Sequence, residues 1–503
     1  MDPGESNPEK PSQQKSDIQD LRTLNELGHQ ALTQGRPQEA LDWLGRSLRL
    51  SPAQFQPLSD YGSALGLLGH FPLALEALDR ALALKPDDPL VHYNRGLVFE
   101  RLNRPQEAIS AYERALELNP GLSPAHNNRG NLLKGLNRLE EALVGYDHAL
   151  ALDGSNADAH NNRATVLVEL GRLDEALQAF DRAIALNPRF AMAYKNKAQL
   201  LLLLGRFEEG WPLYEWRWKA DLWGEFRNFT QPLWLGGDPL KDRVLLIQAE
   251  QGFGDILQFS RYLPLLKGLA AQVVLEAPKP LVSILKTLAG GATVVERGKT
   301  LPAFDRYCPL LSLPLAFKTT LATIPAEGPY LFTDPAKKVA WQKRLGPKQK
   351  PRIGLAWSGK EQYIHDSKRS LALEFLKPLL ELPLEFHSLQ KEYRSKDEGL
   401  LAGLPIRDHR MELEDFSDTA ALVEEMDLVI CADTSVAHLA GALGKPFWVL
   451  LPSIPNCRWL LGRSDSPWYP TARLFRQPAP GDWESVVREV IYALGETVER
   501  MAR

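Results

Sequence analysis

Two loops far apart in the chain carry the residue types that a group-transfer site needs. The first, residues 250–255, reads Glu-Gln-Gly-Phe-Gly-Asp, and the second, residues 433–438, reads Asp-Thr-Ser-Val-Ala-His. Each follows a short apolar run, at 244–247 and 428–431, and precedes a predicted helix. Open α/β sheets bind ligands at this position, outside the carboxyl ends of their strands. We therefore expect the two loops to form the halves of one anion-handling cleft.

The first loop offers a carboxylate at Asp255. Gly252 and Gly254 allow a tight turn and a close approach of the backbone to a ligand. Asp255 is either the N-cap of the next helix or a general base that takes a proton from an acceptor hydroxyl. Glu250 is a reserve candidate for the base, with a purely structural role as its alternative. Together with Gln251 and the two glycines it forms the predicted acceptor-side loop.

The second loop has the properties of a diphosphate site. Asp433 ends a strand, Thr434 or Ser435 can cap the following helix, and 436–443 supplies two helical turns. The free N–H groups of the first turn and the positive end of the helix dipole suit a diphosphate. His438 shares a helix face with Thr434 and Ser435 because it lies one turn further on. Its alternative role is that of a buried helical histidine.

A third loop, residues 358–370, also follows a predicted strand end, at Trp357. Its Lys368 and Arg369 are candidates for neutralising a leaving pyrophosphate, where negative charge accumulates as a glycosidic bond breaks. A solvated loop would have the same composition. The strand-end position favours the ligand-binding interpretation.

Strands that alternate with helical stretches must position these loops. Eight strands are predicted, at 244–249, 272–276, 293–296, 305–308, 353–357, 384–389, 428–431 and 447–451. Strand and helix alternation repeated twice predicts two Rossmann-like halves with parallel sheets. We place the halves at 243–335 and 336–503, with the boundary in the Pro- and Lys-rich stretch 333–350. A cleft between such halves is a natural site for a nucleotide-linked ligand.

The N-terminal part of the chain repeats every 34 residues and resembles the tetratricopeptide repeat. The columns that carry the period are small (Ala40, Ala74, Ala108, Ala142 and Ala176), bulky (Leu44, Leu78, Tyr112, Tyr146, Phe180 and Tyr214) and helix-ending (Pro52, Pro86, Pro120 and Pro188). Small residues let two helices approach, and proline ends the second helix. We predict a superhelix of helical hairpins over 21–219, with five regular copies to Asn187 and a divergent sixth.

A polar column of the repeats consists of Asn94, Asn128, Asn162 and Asn196. An amide side chain both donates and accepts, so these residues either bind a peptide backbone in the concave groove or bond within the array. A histidine column, made of His92, His126 and His160, has the same period. For the histidines, repeat packing is favoured over metal binding because three ligands must converge, whereas a repeat only translates them.

Two further segments flank the repeats. Residues 1–20 are polar and Pro-rich, and we expect a disordered leader without a signal peptide or membrane anchor. Residues 220–242 continue an aromatic-rich stretch that includes Trp223, Phe226, Phe229 and Trp234. Aromatic side chains are costly to expose, so this stretch is predicted to be a rigid joint rather than a flexible linker.

Composition narrows the functional class. The chain has 503 residues and a formal net charge of −4, so no global positive field favours nucleic acid or anionic lipid as a partner. Three cysteines without a Cys-x-x-Cys pair fit a reducing compartment and argue against a structural zinc site. No apolar run is long enough for a membrane span. We expect a cytoplasmic protein without a metal or resident cofactor.

Five motifs together resemble bacterial tetratricopeptide proteins that carry a heptosyltransferase-like, family 9-type glycosyltransferase domain. They are 250–255, Ser-Leu-Gln at 388–390, Asp-Phe-Ser-Asp-Thr-Ala at 415–420, Asp-Thr-Ser-Val-Ala-His-Leu-Ala-Gly-Ala-Leu-Gly-Lys-Pro at 433–446, and Ser-Pro-Trp-Tyr-Pro at 466–470. The resemblance implies a GT-B fold, inversion at the anomeric carbon, and no obligatory metal. It also implies that Asp255 activates the acceptor and that Asp433, Thr434, Ser435 and His438 bind the donor's nucleotide diphosphate.

Two positions depart from that pattern. Ser435 stands where the simple heptosyltransferases commonly have glycine, which narrows backbone access to the phosphate. Asn-Cys-Arg-Trp at 456–459 stands where repeat-fused relatives tend to have Asp-Trp-Arg-Trp. The resemblance to O-linked N-acetylglucosamine transferases is looser, since it is mainly the shared pairing of helical repeats with a GT-B domain.

The sequence thus predicts an inverting, metal-independent glycosyltransferase. A nucleotide sugar is the expected co-substrate, and the repeats recruit a protein or glycan acceptor or a partner. The alternative is a non-catalytic repeat scaffold that carries a degenerate transferase fold. A thermal-shift screen with nucleotide sugars separates the two, because a ligand that binds only the native state raises its stability.

Overall fold

The computed structural model describes residues 10–220, 227, 229–360 and 366–501. It divides the chain into two compact units, Met1–Phe190 and Ala191–Arg503. Three expectations fall partly outside the described residues: the leader before Lys10, the aromatic residues Trp223 and Phe226, and the middle of the third loop at 361–365. The two units are described in turn.

The first unit consists of helical hairpins. Its helices are α1 (Lys10–Thr33), α2 (Pro37–Leu50), α3 (Phe55–Leu67), α4 (Phe71–Leu84), α5 (Pro89–Arg101), α6 (Pro105–Leu118), α7 (Ser123–Gly135), α8 (Leu139–Leu152), α9 (Ala157–Glu169) and α10 (Leu173–Leu186). These are the five regular hairpins that the period predicts. The leader differs from its expected form, because α1 already begins at Lys10. Proline at position 11 does not prevent this, since the first turn of a helix needs no N–H donor there.

The small and bulky columns pack as expected. All five alanines of the small column are fully buried, and so are the bulky residues from Leu44 to Phe180. In the first four hairpins, a glycine on the first helix accommodates the bulky residue of the second. A Cβ at Gly96 would come within 2.5 Å of the Tyr112 ring, and one at Gly130 within 2.9 Å of Tyr146. The hairpins therefore depend on close contact at these glycines.

A further column fixes the turn inside each hairpin. Its members all have positive φ, from 55° to 81°: Gly35, Gly69, Asn103, Asn137, Gly171 and Gly205. Glycine and asparagine tolerate this left-handed conformation better than other residues, so the column ends each first helix. The alanine and aromatic columns of the sequence do not predict this column.

The second unit begins with the sixth hairpin. Its first helices are α11 (Ala191–Leu203), α12 (Phe207–Tyr214) and α13 (Arg217–Ala220). The compact units divide at Phe190, whereas the predicted repeats continue to 219. The reason is packing: Phe207, Trp211 and Tyr214 belong to the same buried cluster as the strand residue Leu245. Apolar surface of the sixth hairpin is thus buried by the α/β region.

Ten parallel strands form two sheets in the second unit. They are β1 (Val244–Gln248), β2 (Gln272–Ala277), β3 (Thr293–Glu296), β4 (Arg306–Pro309), β5 (Arg352–Ala356), β6 (Glu385–Ser388), β7 (Ile406–Arg407), β8 (Leu428–Ala432), β9 (Phe447–Leu451) and β10 (Ala472–Arg476). The strand orders are β3-β2-β1-β4 and β10-β9-β8-β5-β6-β7. The predicted α/β region with parallel sheets is confirmed, and the eight predicted strands agree with β1–β6, β8 and β9 to within one residue at either end. The two missed strands lie at sheet edges, where β7 is very short and β10 carries polar residues.

Helices and short helical turns connect the strands. The α-helices are α14 (Phe253–Phe259), α15 (Lys279–Leu285), α16 (Leu313–Ala316), α17 (Pro335–Leu345), α18 (Asp366–Arg369), α19 (Lys377–Leu380), α20 (Ser395–Leu401), α21 (Phe416–Glu424), α22 (Ser435–Ala442) and α23 (Trp483–Met501). The 3-10 turns are Ser260–Leu266, Leu310–Ser312, Leu321–Thr323, Leu373–Leu376 and Cys457–Trp459.

Each sheet changes its direction of growth at a central strand. In the six-stranded sheet the chain runs from β5 outward to β7 and then returns to the other side of β5 with β8. In the four-stranded sheet β4 likewise returns to the free side of β1. A crevice opens at such a switch point. The third and second predicted loops follow β5 and β8, and the first follows β1, so all three lie beside switch points.

Candidate functional site

Asp255 lies on the first turn of α14 and has two partners. Its Oδ2 accepts a 3.2 Å hydrogen bond from the backbone N–H of Gly252, and its Oδ1 accepts a 2.5 Å bond from Nη2 of Arg458. The first contact is that of a third-position residue in a capping box, so Gly252 and not Asp255 is the N-cap of α14. The second joins the first loop to the 3-10 turn Cys457–Trp459. The Asp255 side chain is 16% exposed, so a small ligand can still approach this carboxylate.

Gly254 permits helices α14 and α22 to touch. A Cβ at this position would lie 2.8 Å from Cδ2 of His438 and 3.5 Å from Cα of Ser435. Any other residue would push the two helices apart. The structure thus brings the first and second predicted loops together, although they are distant in sequence.

His438 is fully buried, and its hydrogen bonds define its tautomer. Nε2 lies 3.0 Å from Nη1 of Arg458, and Nδ1 lies 2.9 Å from the hydroxyl of Tyr469. Arginine can only donate, so Nε2 accepts and Nδ1 carries the proton. Burial lowers the His438 pKa, even though Asp433 opposes this. The ring also stacks on Trp459 at 5.4 Å, and we conclude that it is a neutral, fixed imidazole.

Asp433 and Thr434 form the entrance to α22. They are 5% and 8% exposed, yet Oδ1 of Asp433 and Oγ1 of Thr434 have no hydrogen-bond partner within the part of the chain described. Burial alone would raise the pKa of Asp433, but His438 and the charge of Arg458 bring it below its ordinary value. Asp433 lies 3.7 Å from Nε2 of His438, so it is held by the site itself, whereas the buried Thr434 hydroxyl without a partner at a helix N-terminus indicates a place for a ligand.

Arg458 was present in the sequence motifs but was not among the predicted site residues. Its Nε donates to Oδ1 of Asn456 at 3.1 Å, while its two terminal nitrogens reach His438 and Asp255. The guanidinium therefore connects three chain segments. In the sequence, its only signal was the Arg-Trp pair at 458–459, which the repeat-fused relatives share. Its acidic partner Asp255 lies 203 positions away and could not be identified from local patterns.

The third loop contributes Arg369 to the same region. Its Nη1 donates a 3.0 Å hydrogen bond to the backbone carbonyl of Asp433, and its Nε lies 3.4 Å from Oδ1 of Asp366. The loop is tight here, since a Cβ at Gly359 would lie 2.4 Å from the Arg369 side chain. Lys368 is exposed. Of the two predicted cations, the structure brings Arg369 to the second loop.

Glu250 has a structural environment. It is 2% exposed, and Arg217 binds both its oxygens, at 2.7 and 3.0 Å. Arg217 also contacts Glu215 at 2.6 Å and the hydroxyl of Ser312 at 2.7 Å. Glu250 therefore joins α13 to the sheet and is enclosed by protein groups, which corrects its reserve assignment as the base. Its neighbour Gln251 has a φ of 61° and hydrogen-bonds Tyr214 of α12.

The asparagine column connects successive repeats. Nδ2 of Asn94 donates to Ser63 at 2.9 Å, that of Asn128 to Tyr93 at 3.2 Å, and that of Asn162 to Asn127 at 3.3 Å. Each partner lies on the preceding first helix, which is the in-array alternative. Asn196 lies on α11 in the second unit.

The histidine column has a packing role. His92, His126 and His160 each hydrogen-bond the carbonyl six residues earlier, at 2.8, 3.0 and 3.3 Å. Among the described residues, no cluster of three or more His, Cys, Asp and Glu side chains has a metal-binding arrangement.

In the same part of the chain, no helix is long and apolar enough to cross a bilayer.

Comparisons with known proteins agree with the repeat architecture. Tetratricopeptide repeat models match residues 21–46, 62–123, 111–144, 157–190 and 179–211, and a TPR repeat model matches 130–171. The chain therefore contains tetratricopeptide repeats, as the 34-residue period predicts.

A curated relative matches part of this chain. Protein FlbA of Caulobacter vibrioides is 28% identical over 316 residues, which is 57% of this chain and 52% of FlbA. The chain thus spans about half the length of this relative. Among solved structures, YrrB, described as a TPR protein with an unusual peptide-binding site, has 22% identity and a TM-score of 0.32 over 36% of this chain and 94% of its own. PilF of Pseudomonas aeruginosa has 18% identity and a TM-score of 0.37 over 42% and 95%.

Proposed function

We propose that residues 191–503 form a GT-B glycosyltransferase that moves a sugar from a nucleotide-sugar donor to an acceptor hydroxyl, with inversion and without a metal. The four-stranded sheet is the acceptor side of this proposal, and the six-stranded sheet is the donor side. One observation carries it: the Arg458 guanidinium contacts both Asp255 and His438, and the buried Thr434 hydroxyl at the start of α22 has no partner among the described residues. A base and an anion site are thereby adjacent.

In the proposed reaction, Asp255 removes the proton from the acceptor hydroxyl. The acceptor oxygen forms a bond to the anomeric carbon as the bond from that carbon to the diphosphate oxygen breaks. The bonding electrons leave with the nucleoside diphosphate, and the acceptor proton stays on the carboxyl group. Attack from the side opposite the leaving group inverts the configuration. Two substituents thus exchange in one displacement, and no covalent enzyme intermediate is needed.

The leaving diphosphate gains negative charge at the N-terminus of α22. The N–H groups of its first turn and the hydroxyls of Thr434 and Ser435 are the proposed hydrogen-bond donors. Arg369 adds positive charge where it contacts the Asp433 carbonyl, and Lys368 extends from the same loop. These groups stabilise the products of bond cleavage more than the intact donor, which is what accelerates the reaction.

For the repeats we propose recruitment of a protein or glycan acceptor, or of a partner protein. Tetratricopeptide arrays present extended concave surfaces because each hairpin contacts only its neighbours. The amide N–H groups of Asn94, Asn128 and Asn162 already donate hydrogen bonds within the array. Other side chains of the concave surface would therefore supply the main contacts to the acceptor or partner.

Two measurements test the proposal. Thermal shift with UDP-, GDP-, ADP- and CMP-linked sugars is expected to raise the melting temperature with at least one donor class. With that donor, Asp255→Asn should lose turnover by about 10²- to 10⁴-fold, the usual contribution of a general base. Donor binding should not weaken, since the variant keeps the shape of the side chain. Arg463→Gln, in an exposed ion pair with Asp465, serves as the control and should retain turnover.

A scaffold with a degenerate transferase domain is the second candidate. The pairing of Asp255 with Arg458 favours it, because a carboxylate held by a guanidinium is not free to act as a base. Absence of a thermal shift with all four donor classes would support the scaffold. Unchanged turnover in Asp255→Asn would reject the assigned base while leaving a transferase possible.

A further inference from the structure

We infer that Arg458 is a catalytic residue that serves both the base and the leaving group. It pairs with Asp255 in the free protein and with the donor's diphosphate during the reaction. This inference rests on the proposed function and names the residue that links its two halves. It concerns a nucleoside diphosphate as the ligand, whatever the sugar.

The geometry places one guanidinium between the two proposed sites. Nη2 lies 2.5 Å from Asp255 on α14, and Nη1 lies 3.0 Å from His438 on α22. The third nitrogen, Nε, is held by Asn456 at 3.1 Å. Arg458 is 17% exposed, so the head group is fixed by its partners and yet accessible at one side. Its planar fork suits a phosphate as well as a carboxylate.

Asn456 anchors the arginine without neutralising it. Its Oδ1 also accepts from the backbone N–H of Arg458 at 3.3 Å, so the 3-10 turn and the side chain are held by one neutral amide. His438 is a neutral acceptor as well. Among these three contacts, only Asp255 is negatively charged, and the Asp433 carboxylate also interacts with the Arg458 charge. An anion that enters beside α22 therefore competes with these two carboxylates for Arg458.

The charges of the centre change in a coordinated way during transfer. Asp255 loses its negative charge when it receives the acceptor proton, and its attraction for Arg458 weakens. At the same time the departing diphosphate oxygen becomes more negative. A small movement of the Arg458 guanidinium can then replace its contact with the Asp255 carboxyl group by a contact with the diphosphate. Proton removal and leaving-group departure then favour each other. Protonation of Asp255 releases Arg458, and the growing negative charge on the diphosphate binds the released guanidinium.

A purely structural clasp is the competing explanation for Arg458. A clasp would hold α14 near α22, and its loss would lower stability without a specific effect on ligand binding. The two explanations differ most clearly in Asp255→Asn. If carboxylate and diphosphate compete for one cation, removal of the carboxylate charge should tighten diphosphate binding. A clasp predicts equal or weaker binding in this variant.

The experiment is calorimetric titration of the full chain with UDP, GDP, ADP and CDP. For the nucleotide that binds, Arg458→Gln should weaken affinity by about 10- to 100-fold, the usual effect of losing a charged hydrogen bond. Arg458→Lys keeps the charge but not the fork and should weaken it by about 3- to 10-fold. Asp255→Asn should tighten it by about 3- to 10-fold, since a like charge beside the phosphate is removed. The control Arg463→Gln should bind like the parent protein.

The outcomes distinguish the inference from the proposed function. Parent-like affinity in Arg458→Gln, or no tightening in Asp255→Asn, overturns the shared role of Arg458 while the transferase proposal stands. Binding of none of the four nucleotides to the parent protein removes both. If Arg458→Gln does not fold, Arg458→Lys and Asp255→Asn decide the question. Nucleotide binding that follows these expectations without sugar transfer would retain the inference about the anion and reject the proposed reaction.

Discussion

At the residue scale, two carboxylates of one loop have opposite surroundings. The Glu250 side chain is 2% exposed and pairs with Arg217, whereas the Asp255 side chain is 16% exposed and pairs with Arg458. A buried ion pair contributes little net stability, but removal of one partner leaves an uncompensated buried charge. The two residues should therefore respond differently to the loss of a charge.

We expect Glu250→Gln to lower the free energy of unfolding of the second unit by about 3 kcal/mol, near the low end for a broken buried pair, because Glu215 still contacts Arg217. Chemical denaturation of the full chain measures this change. Glu381→Gln, at an exposed glutamate, is the control and should be neutral. Parent-like stability combined with lost turnover would instead give Glu250 a chemical role.

The sequence predicted the loops of the candidate site better than the partners of their side chains. Asp255, Asp433 and His438 could be found because each belongs to a short motif beside an apolar run. Arg217 and Arg458 could not be paired with their carboxylates, which lie 33 and 203 positions away, because local patterns carry no information on which segments meet. For the same reason Glu250 and Asp255 remained rival candidates until their neighbours were known.

At the element scale, the hairpins depend on glycines whose hydrogen faces a bulky side chain. A Cβ added at Gly96 would lie 2.5, 2.7 and 2.9 Å from three ring atoms of Tyr112. A Cβ at Gly45, on α2, would lie 3.7 Å from the nearest side-chain atoms of Arg49 and Tyr61. Two glycines of the same helical array thus have opposite steric surroundings.

Gly96→Ala is expected to destabilise the repeats by about 1–3 kcal/mol through overpacking, which exceeds the gain in helix propensity. Gly45→Ala, the matched control, should stabilise them by about 0.5–1 kcal/mol because only the propensity term remains. Denaturation followed by helical circular dichroism measures both changes. A stabilised Gly96→Ala variant would show that the Tyr112 ring moves aside at little cost.

The period of 34 residues made the helices predictable, because each column repeats its physical role in every copy. The strands of the α/β region were predictable from apolar runs. The compact unit to which the sixth hairpin belongs was not, because this hairpin keeps the repeat columns while Trp211 and Tyr214 pack with the sheet residues. A repeat period predicts the local fold of a segment. It does not predict which compact unit that segment stabilises.

At the scale of the whole molecule, the division at Phe190 makes the last hairpin part of the α/β unit. The fragment 191–503 should unfold cooperatively and retain its nucleotide affinity. The fragment 220–503 should lose its stable fold, since it lacks Trp211, Tyr214 and Arg217 and leaves Glu250 without its cation.

Limited proteolysis and chemical denaturation of the two fragments check this expectation. The longer fragment should resist cleavage, and the shorter one should be digested rapidly. Equal resistance of the two fragments would mean that the sixth hairpin is an appendage and that the boundary at 219 describes the folding unit after all.

The division between the fifth and sixth hairpins has an evolutionary consequence. Duplication or deletion of whole copies upstream of Phe190 would leave the sixth hairpin, which packs with the sheets, in the same compact unit as Asp255 and Arg458. Copy number can therefore drift among descendants of this gene under selection for reach or recognition, without loss of the hairpin on which the α/β unit depends.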